Sequence, residues 1–246
     1  MTIAETRAEG GIAILRLDRE RSLNAMNEAM VDALEDAIAR LAGDDGVSAL
    51  VITGTGRAFC VGSDLKEDSG ADPDSRVRRM HALMLRLLRY PKVTVCAVNG
   101  LALGGGLELA LPCTFRVASP AARFGLPEVT HDLMPAYGGT QLLPRLIGRA
   151  PAIEMALSGE MIDAAEALRT GLVDRIADDC LAEAVALARR CSAGGAIARR
   201  EILAAIIGGL EGTLEEGLEK EHAGVMVVSS SDAARAGVEQ FRKGHS

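Results

Sequence analysis

Three consecutive glycines between a buried strand and an apolar helix constrain the fold of this chain more than any other feature. The β-branched run Val93–Val98 ends at the Asn99-Gly100 pair, which is typical of a buried strand followed by a turn. Glycines at 104–106 precede a helical run over 107–111 that ends at a proline. Glycines at a helix start let other groups approach the backbone, and the free N–H groups there lie at the positive end of the helix dipole. This arrangement suits an oxygen that becomes negative during a reaction.

Two glutamates accompany this glycine cluster. Glu108 lies one turn into the predicted helix among apolar residues, and Glu128 follows Leu126-Pro127 after a second strand predicted over 114–118. A buried carboxylate must be paired, hydrogen-bonded or protonated, so we expect a raised pKa at Glu108. Two carboxylates converging on one pocket suit general acid and base chemistry. Taken singly, each glutamate is more often structural than catalytic, because a glutamate on a helix is usually solvated or salt-bridged. The three glycines are likewise compatible with close packing of helix on strand.

The alternation of strands and helices predicts an α/β fold. Strands are expected at Ile12–Leu17 and 47–53, with amphipathic helices over 30–41 and 77–88, and this succession is typical of short crossovers. No internal repeat is evident. The remaining predictions are helices at 140–147, 151–157 and 164–169, a short strand at 172–176, and an alanine-rich helical segment over 181–241 with breaks at 192–195 and 208–209.

Three sequence blocks together identify a family resemblance. They read RAFCVGSDLK at 57–66, NGLALGGGLELA at 99–110, and FGLPE at 124–128, continuing to Pro135 and GGTQ at 138–141. In this order and spacing the chain resembles the enoyl-CoA hydratase/isomerase, or crotonase, family from about residue 24 to Phe241. The resemblance implies a crotonase-like ββα spiral core over 1–180 that holds the acyl-CoA site. It also implies a C-terminal helical trimerisation region over 181–246, in homotrimers that pair into homohexamers.

The resemblance also implies roles for individual residues. The backbone N–H groups of Ser63 and Gly105 would form the oxyanion hole, and Glu108 and Glu128 would be the acid/base pair. An α,β-unsaturated acyl-CoA thioester would be hydrated to a 3-hydroxyacyl-CoA, with coenzyme A as part of the substrate and no separate cofactor. The implied substrate and coenzyme A contacts are Ala25, Ser63, Asp64, Leu65, Lys66 and Gly105.

Several of these positions have an alternative structural interpretation. The segment near Ala25 precedes Asn27, which is equally suited to cap a helix. Asp64 either holds the loop that presents the Ser63 N–H, or forms an Asx turn or helix cap, and the cap is favoured. Lys66 either meets a phosphate of coenzyme A or is a solvated surface lysine.

The chain departs from the family pattern at Met134-Pro135-Ala136-Tyr137, where many hydratases have a glycine-rich stretch. The floor of the acyl pocket is therefore expected to be narrower. A double-bond isomerase or a ring-processing acyl-CoA enzyme of the same family is the closest alternative function. The alternative from another class is a non-catalytic acyl-CoA-binding scaffold. Two buried carboxylates argue against this scaffold, because they cost stability and have no evident use in binding alone.

Composition and motifs argue against other classes of protein. A formal charge of −7 and 2% aromatic residues oppose nucleic-acid binding. Five cysteines without C-x-x-C spacing indicate reduced core residues in a cytoplasmic protein. There is no apolar run of the roughly 20 residues that a membrane span needs, and no secretory signal. His131 and Asp132 follow Glu128, but no second histidine and no Gly-x-Ser-x-Gly motif accompanies them, so neither a metal site nor a serine hydrolase is expected.

Overall fold

The computed structural model describes residues 2–67, 70 and 72–244, and within them the chain forms two β-sheets packed with helices. The α/β class is therefore confirmed. The strands are β1 (Ile3–Ala8), β2 (Ile12–Leu17), β3 (Ala49–Gly54), β4 (Ala58–Cys60), β5 (Val93–Val98), β6 (Leu101–Leu103), β7 (Phe115–Ala118), β8 (Arg123–Gly125), β9 (Ile162–Asp163) and β10 (Arg175–Ile176).

The helices lie between and after these strands. They are α1 (Glu28–Gly43), α2 (Pro73–Leu88), α3 (Gly105–Ala110), α4 (Gly139–Ile147), α5 (Arg149–Ser158), α6 (Ala164–Thr170), α7 (Cys180–Cys191), α8 (Ala196–Gly209), α9 (Leu214–Ser229) and α10 (Asp232–Gly244). Short 3₁₀ turns occur at Glu20–Ser22 and Pro127–His131. In the described part of the chain, no helix is long and apolar enough to cross a membrane.

The two sheets arise from a structural repetition that the sequence did not reveal. The larger sheet has the order β1-β2-β3-β5-β7-β10, parallel except for the β1-β2 pair, and the smaller one has the order β4-β6-β8-β9. The strand pairs β3/β4, β5/β6 and β7/β8 each place their first strand in the larger sheet and their second in the smaller. The chain therefore winds through three successive strand–strand–helix units, each of which adds one strand to each sheet.

The larger sheet buries both faces, as parallel sheets do. Ala49 and Val51 of β3 belong to the cluster that packs against α7, whereas Leu50 and Ile52 belong to the main core. Successive side chains on a strand point to opposite faces, so an unbroken apolar run fills two cores at once. Helix α7 covers one face with residues such as Leu187, while α1 and α2 contribute to the main core.

Most predicted elements are found, with corrections at their ends. Asn27 caps α1, because its Oδ1 accepts a hydrogen bond from the Met30 N–H at 3.1 Å. The strand predicted over 172–176 is shorter in the structure, where β10 spans only Arg175–Ile176. The Leu172 carbonyl before it accepts a hydrogen bond from the Arg116 side chain at 2.6 Å. The sequence predicted a helix break at 208–209, but these two glycines are still helical and are the last residues of α8, so the helix ends after them.

Candidate active site

Glu108 is buried, as predicted. Helix α3 carries it, and its side-chain Oε1 accepts hydrogen bonds from the backbone N–H groups of Tyr137 at 2.8 Å and Gly139 at 2.7 Å. The residue is 1% exposed, and this burial raises its pKa to about 7, against the lowering effect of the two N–H donors. The nearby charge of Glu128 adds to the rise. Glu108 can therefore exchange a proton near neutral pH.

Glu128 lies in a 3₁₀ turn directly after β8, and only part of it is exposed. Burial raises its pKa as well. Its Oε2 is buried and accepts no hydrogen bond from any residue that the structure describes. Its Oε1 lies 3.0 Å from the position that a Cβ atom on Gly104 would occupy. A buried carboxylate oxygen without a partner is costly, and such groups occur where a ligand or water supplies the missing donor.

The two backbone N–H groups predicted as an oxyanion hole carry no internal hydrogen bond among the described residues. Ser63 lies in a parallel bridge with Met26, in which the Met26 N–H donates to the Gly62 carbonyl at 2.7 Å and the Asp64 N–H to the Met26 carbonyl at 2.9 Å. This pattern leaves the Ser63 N–H free. The Gly105 N–H is free because it is the first residue of α3, where no preceding turn offers a carbonyl.

Close packing explains why glycines surround this site. A Cβ on Gly106 would lie 2.1 Å from the Cys60 carbonyl oxygen, and a Cβ on Gly62 would lie 3.1 Å from the Gly105 nitrogen. Gly104 has φ of 52°, in the left-handed region that glycine adopts most easily. The glycines therefore bring α3 against the strand that ends at Cys60, which places Gly105 beside the Ser63 loop.

Tyr137 connects the two halves of the site. Its hydroxyl lies 2.9 Å from the Ser63 Oγ, and its ring carbons lie 3.0 and 3.2 Å from the point that a Cβ on Gly105 would occupy. Its backbone N–H holds Glu108. The sequence marked the segment containing Tyr137 as a departure from the family but did not predict that this side chain contacts Ser63 and lies beside Gly105.

The predicted coenzyme A residues lie together on one edge of the site. Ala25 is buried, whereas Leu65 is 74% exposed and Lys66 is also exposed. Asp64 forms an Asx turn, because its Oδ1 accepts from the Lys66 N–H at 3.2 Å. It does not cap a helix, since α2 begins only at Pro73. Whether these residues bind coenzyme A stays a prediction.

Sequence reasoning missed Arg19, which holds this edge together. One guanidinium nitrogen of Arg19 pairs with the Asp64 Oδ2 at 2.8 Å, and another donates to the Ala25 carbonyl. Asn24, fully buried with φ of 57°, donates through its side chain to the Ala58 carbonyl at 2.8 Å. A charged residue close to a strand end carries no sequence signal of a partner 45 residues away, so only the structure pairs Arg19 with Asp64.

His131 is not part of the acid/base pair. It is exposed, and its Nδ1 lies 2.9 Å from the Thr130 Oγ1. Among the described residues, no group of three or more histidine, cysteine, aspartate or glutamate side chains could hold a metal ion.

Comparison with known proteins gives consistent similarities along the whole chain. A family model described as enoyl-CoA hydratase/isomerase matches residues 7–244. A Rhizobium meliloti protein named "probable enoyl-CoA hydratase" is 36% identical over 236 residues, covering 95% of this chain and 92% of its own. The 2,3-dehydroadipyl-CoA hydratase of Escherichia coli is 36% identical over 94% of this chain and 91% of its own. A crystal structure of enoyl-CoA hydratase from Bacillus anthracis superposes with a TM-score of 0.93 at 32% identity, covering 99% of this chain and 97% of the other.

Proposed function

Because this chain belongs to the enoyl-CoA hydratase/isomerase family, with the crotonase fold, we propose that it is an enoyl-CoA hydratase that adds water across the 2,3 double bond of a 2-enoyl-CoA thioester. The observation that carries the proposal is the carboxylate pair: Glu108 with a pKa of about 7, and Glu128 with a buried oxygen to which none of the described residues donates a hydrogen bond. Two such groups can hold one water and exchange its protons.

The free N–H groups of Ser63 and Gly105 supply the electrophilic part of the proposed mechanism. The thioester carbonyl oxygen would accept hydrogen bonds from both, which draws electrons from the double bond and makes the β-carbon electrophilic. Negative charge that develops on this oxygen would be stabilised by the same two donors. The positive end of α3 adds little, because that helix is short.

The two glutamates supply the proton transfers. One carboxylate would take a proton from water as the oxygen adds to the β-carbon, and the other would deliver a proton to the α-carbon. The water would donate a hydrogen bond to the buried Oε2 of Glu128, which accepts none from the residues that the structure describes. Glu108 is oriented by the Tyr137 and Gly139 N–H groups, which leaves its second oxygen to face the reactants.

The assembly and location are further parts of the proposal. We propose a homotrimer, which can pair into a homohexamer, because the C-terminal helices expose large apolar residues that a neighbouring subunit would cover: Leu210, Leu214 and Leu218 are 84%, 75% and 54% exposed. A cytoplasmic location stays a prediction.

The function is tested by following the loss of absorbance of the conjugated crotonyl-CoA thioester and identifying the product by mass. We expect hydration by the wild type and a loss of about 100-fold or more in kcat for Glu108→Gln and for Glu128→Gln. Ser63→Ala keeps its backbone N–H, so it serves as the control and should lose much less. Rapid conversion of a 3-enoyl-CoA without hydration of crotonyl-CoA would instead identify the double-bond isomerase, and binding without turnover of either would identify the acyl-CoA-binding scaffold.

A further inference from the structure

Tyr137 lies across the candidate active site and is held at both ends. At one end its backbone N–H donates to Glu108, and the carbonyl of the preceding residue, Ala136, lies 2.8 Å from the His81 Nε2. At the other end its hydroxyl is hydrogen-bonded to the Ser63 side chain at 2.9 Å. Only 8% of Tyr137 is exposed. The phenol ring therefore has a defined position, beside Gly105 and with its hydroxyl on the Ser63 side chain.

The space left beside this ring is small. Beside Ser63 and Tyr137 lies a cavity of about 10 Å³, whose other lining residues are apolar and charged: Met26, Val31, Met80, Glu28, Arg76 and Arg79. A void of this size holds about one water molecule. An extended hydrocarbon chain of several methylenes does not fit between the ring and these side chains.

One of the charged residues that line the cavity is held in place by ion pairs. Arg79 lines it and forms ion pairs with Glu28 at 2.9 Å and Glu35 at 2.7 Å, and it also pairs with Asp32. A guanidinium held by three carboxylates from α1 does not move aside without losing those pairs. The cavity therefore cannot lengthen in that direction at low cost.

We propose that Tyr137 is a specificity-determining residue that restricts the acyl group of the thioester to a short chain. The ring blocks the path that additional methylenes would take, and the hydrogen bond to Ser63 keeps it there. The inference rests on the proposed function only in that the ligand is an acyl-CoA thioester.

The test uses saturated acyl-CoA thioesters, which have no double bond to hydrate, so that binding is measured independently of turnover. Calorimetric titration with butyryl-CoA and octanoyl-CoA gives the ratio of the two Kd values for each variant. We expect the wild type to favour butyryl-CoA, and Tyr137→Ala to shift the ratio by about tenfold or more towards octanoyl-CoA, the order of discrimination that one methylene makes in an apolar pocket. Tyr137→Phe keeps the ring and loses only the bond to Ser63, so its shift should be smaller.

The chain offers a matched control in its other tyrosine. Tyr90 is also buried, and its hydroxyl has no hydrogen-bond partner in the described part of the structure. Because it does not line this cavity, Tyr90→Phe should leave the Kd ratio unchanged. If Tyr137→Ala fails to fold, Tyr137→Leu removes the same hydroxyl end while filling the buried part of the site.

The outcomes separate this proposal from the proposed function. An unchanged Kd ratio in a folded Tyr137→Ala or Tyr137→Leu variant would overturn the role of Tyr137, as would a wild type that binds octanoyl-CoA as tightly as butyryl-CoA. A wild type that does not hydrate crotonyl-CoA but shows the expected shift would overturn the hydratase and support the role of Tyr137. If no acyl-CoA binds to any variant, both proposals fall.

Discussion

Replacing Glu108 with glutamine removes a buried ionisable group while preserving its hydrogen bonds. The Oε1 that accepts from the Tyr137 and Gly139 N–H groups has a counterpart in the glutamine amide oxygen. Burial raises the pKa of Glu108 from its ordinary 4.5 to about 7 in the folded protein. The folded state therefore holds this proton more tightly than the unfolded chain does, and the wild type loses stability as pH rises and the carboxyl ionises.

The size and pH range of this effect follow from the two pKa values. At about 1.4 kcal/mol for each pH unit, the gap between 4.5 and about 7 corresponds to about 3 kcal/mol. The contribution of Glu108 is fully present below pH 4.5, is lost progressively up to about pH 7, and changes no further above that. Glutamine does not titrate. The free energy of unfolding of Glu108→Gln, relative to wild type, should therefore rise by about 3 kcal/mol across this range.

Urea unfolding followed by far-ultraviolet circular dichroism measures this difference. Both proteins are compared in one buffer series from about pH 4 to pH 8, at a single protein concentration because any assembly contributes to stability. Glu215→Gln, at an exposed position on α9, provides the baseline for exchanging a glutamate for a glutamine. A difference between wild type and Glu108→Gln that stays constant with pH would refute the reasoning, since it would mean that Glu108 ionises equally readily in the folded and unfolded states.

Two further predictions concern packing and the position of the Ser63 loop. Gly106→Ala should destabilise the protein by about 3 kcal/mol or more, because its Cβ would meet the Cys60 carbonyl oxygen. Gly237→Ala on α10 should instead stabilise the protein by up to about 1 kcal/mol, because no described atom outside the adjoining backbone of its own helix lies within 4 Å of the added carbon. Equal melting temperatures of the two variants would contradict the packing argument. Arg19→Gln should lower kcat/KM for crotonyl-CoA by about tenfold, because the ion pair with Asp64 no longer holds the segment that presents the Ser63 N–H. The circular dichroism spectrum should stay unchanged. Full activity in this variant would show that the backbone bridge to Met26 alone holds the segment.

Local patterns were sufficient to place most of the helices and strands. The apolar runs of β3 and β5 and the periodicity of α1 and α2 depend on burial of one or both faces, which a sequence records directly. Element ends were less accurate where a distant group determines them. The strand expected over 172–176 is shortened because the buried side chain of Arg116, 56 residues earlier in the sequence, donates a hydrogen bond to the Leu172 carbonyl.

The sequence by itself determined which residues are candidates. The glycine cluster beside Glu108 and Glu128 in apolar surroundings indicated acid/base chemistry, because a buried carboxylate there must be paired, hydrogen-bonded or protonated. The resemblance of three sequence blocks to the family then implied the N–H groups of Ser63 and Gly105. The tertiary structure alone decided how these groups meet. Winding three strand–strand–helix units into two sheets brings Ser63 beside Gly105, and it turns the Tyr137 and Gly139 N–H groups onto Glu108. It also places the Tyr137 hydroxyl against Ser63, 74 residues away. Contacts across such separations depend on the packing of whole elements, and no local pattern records them.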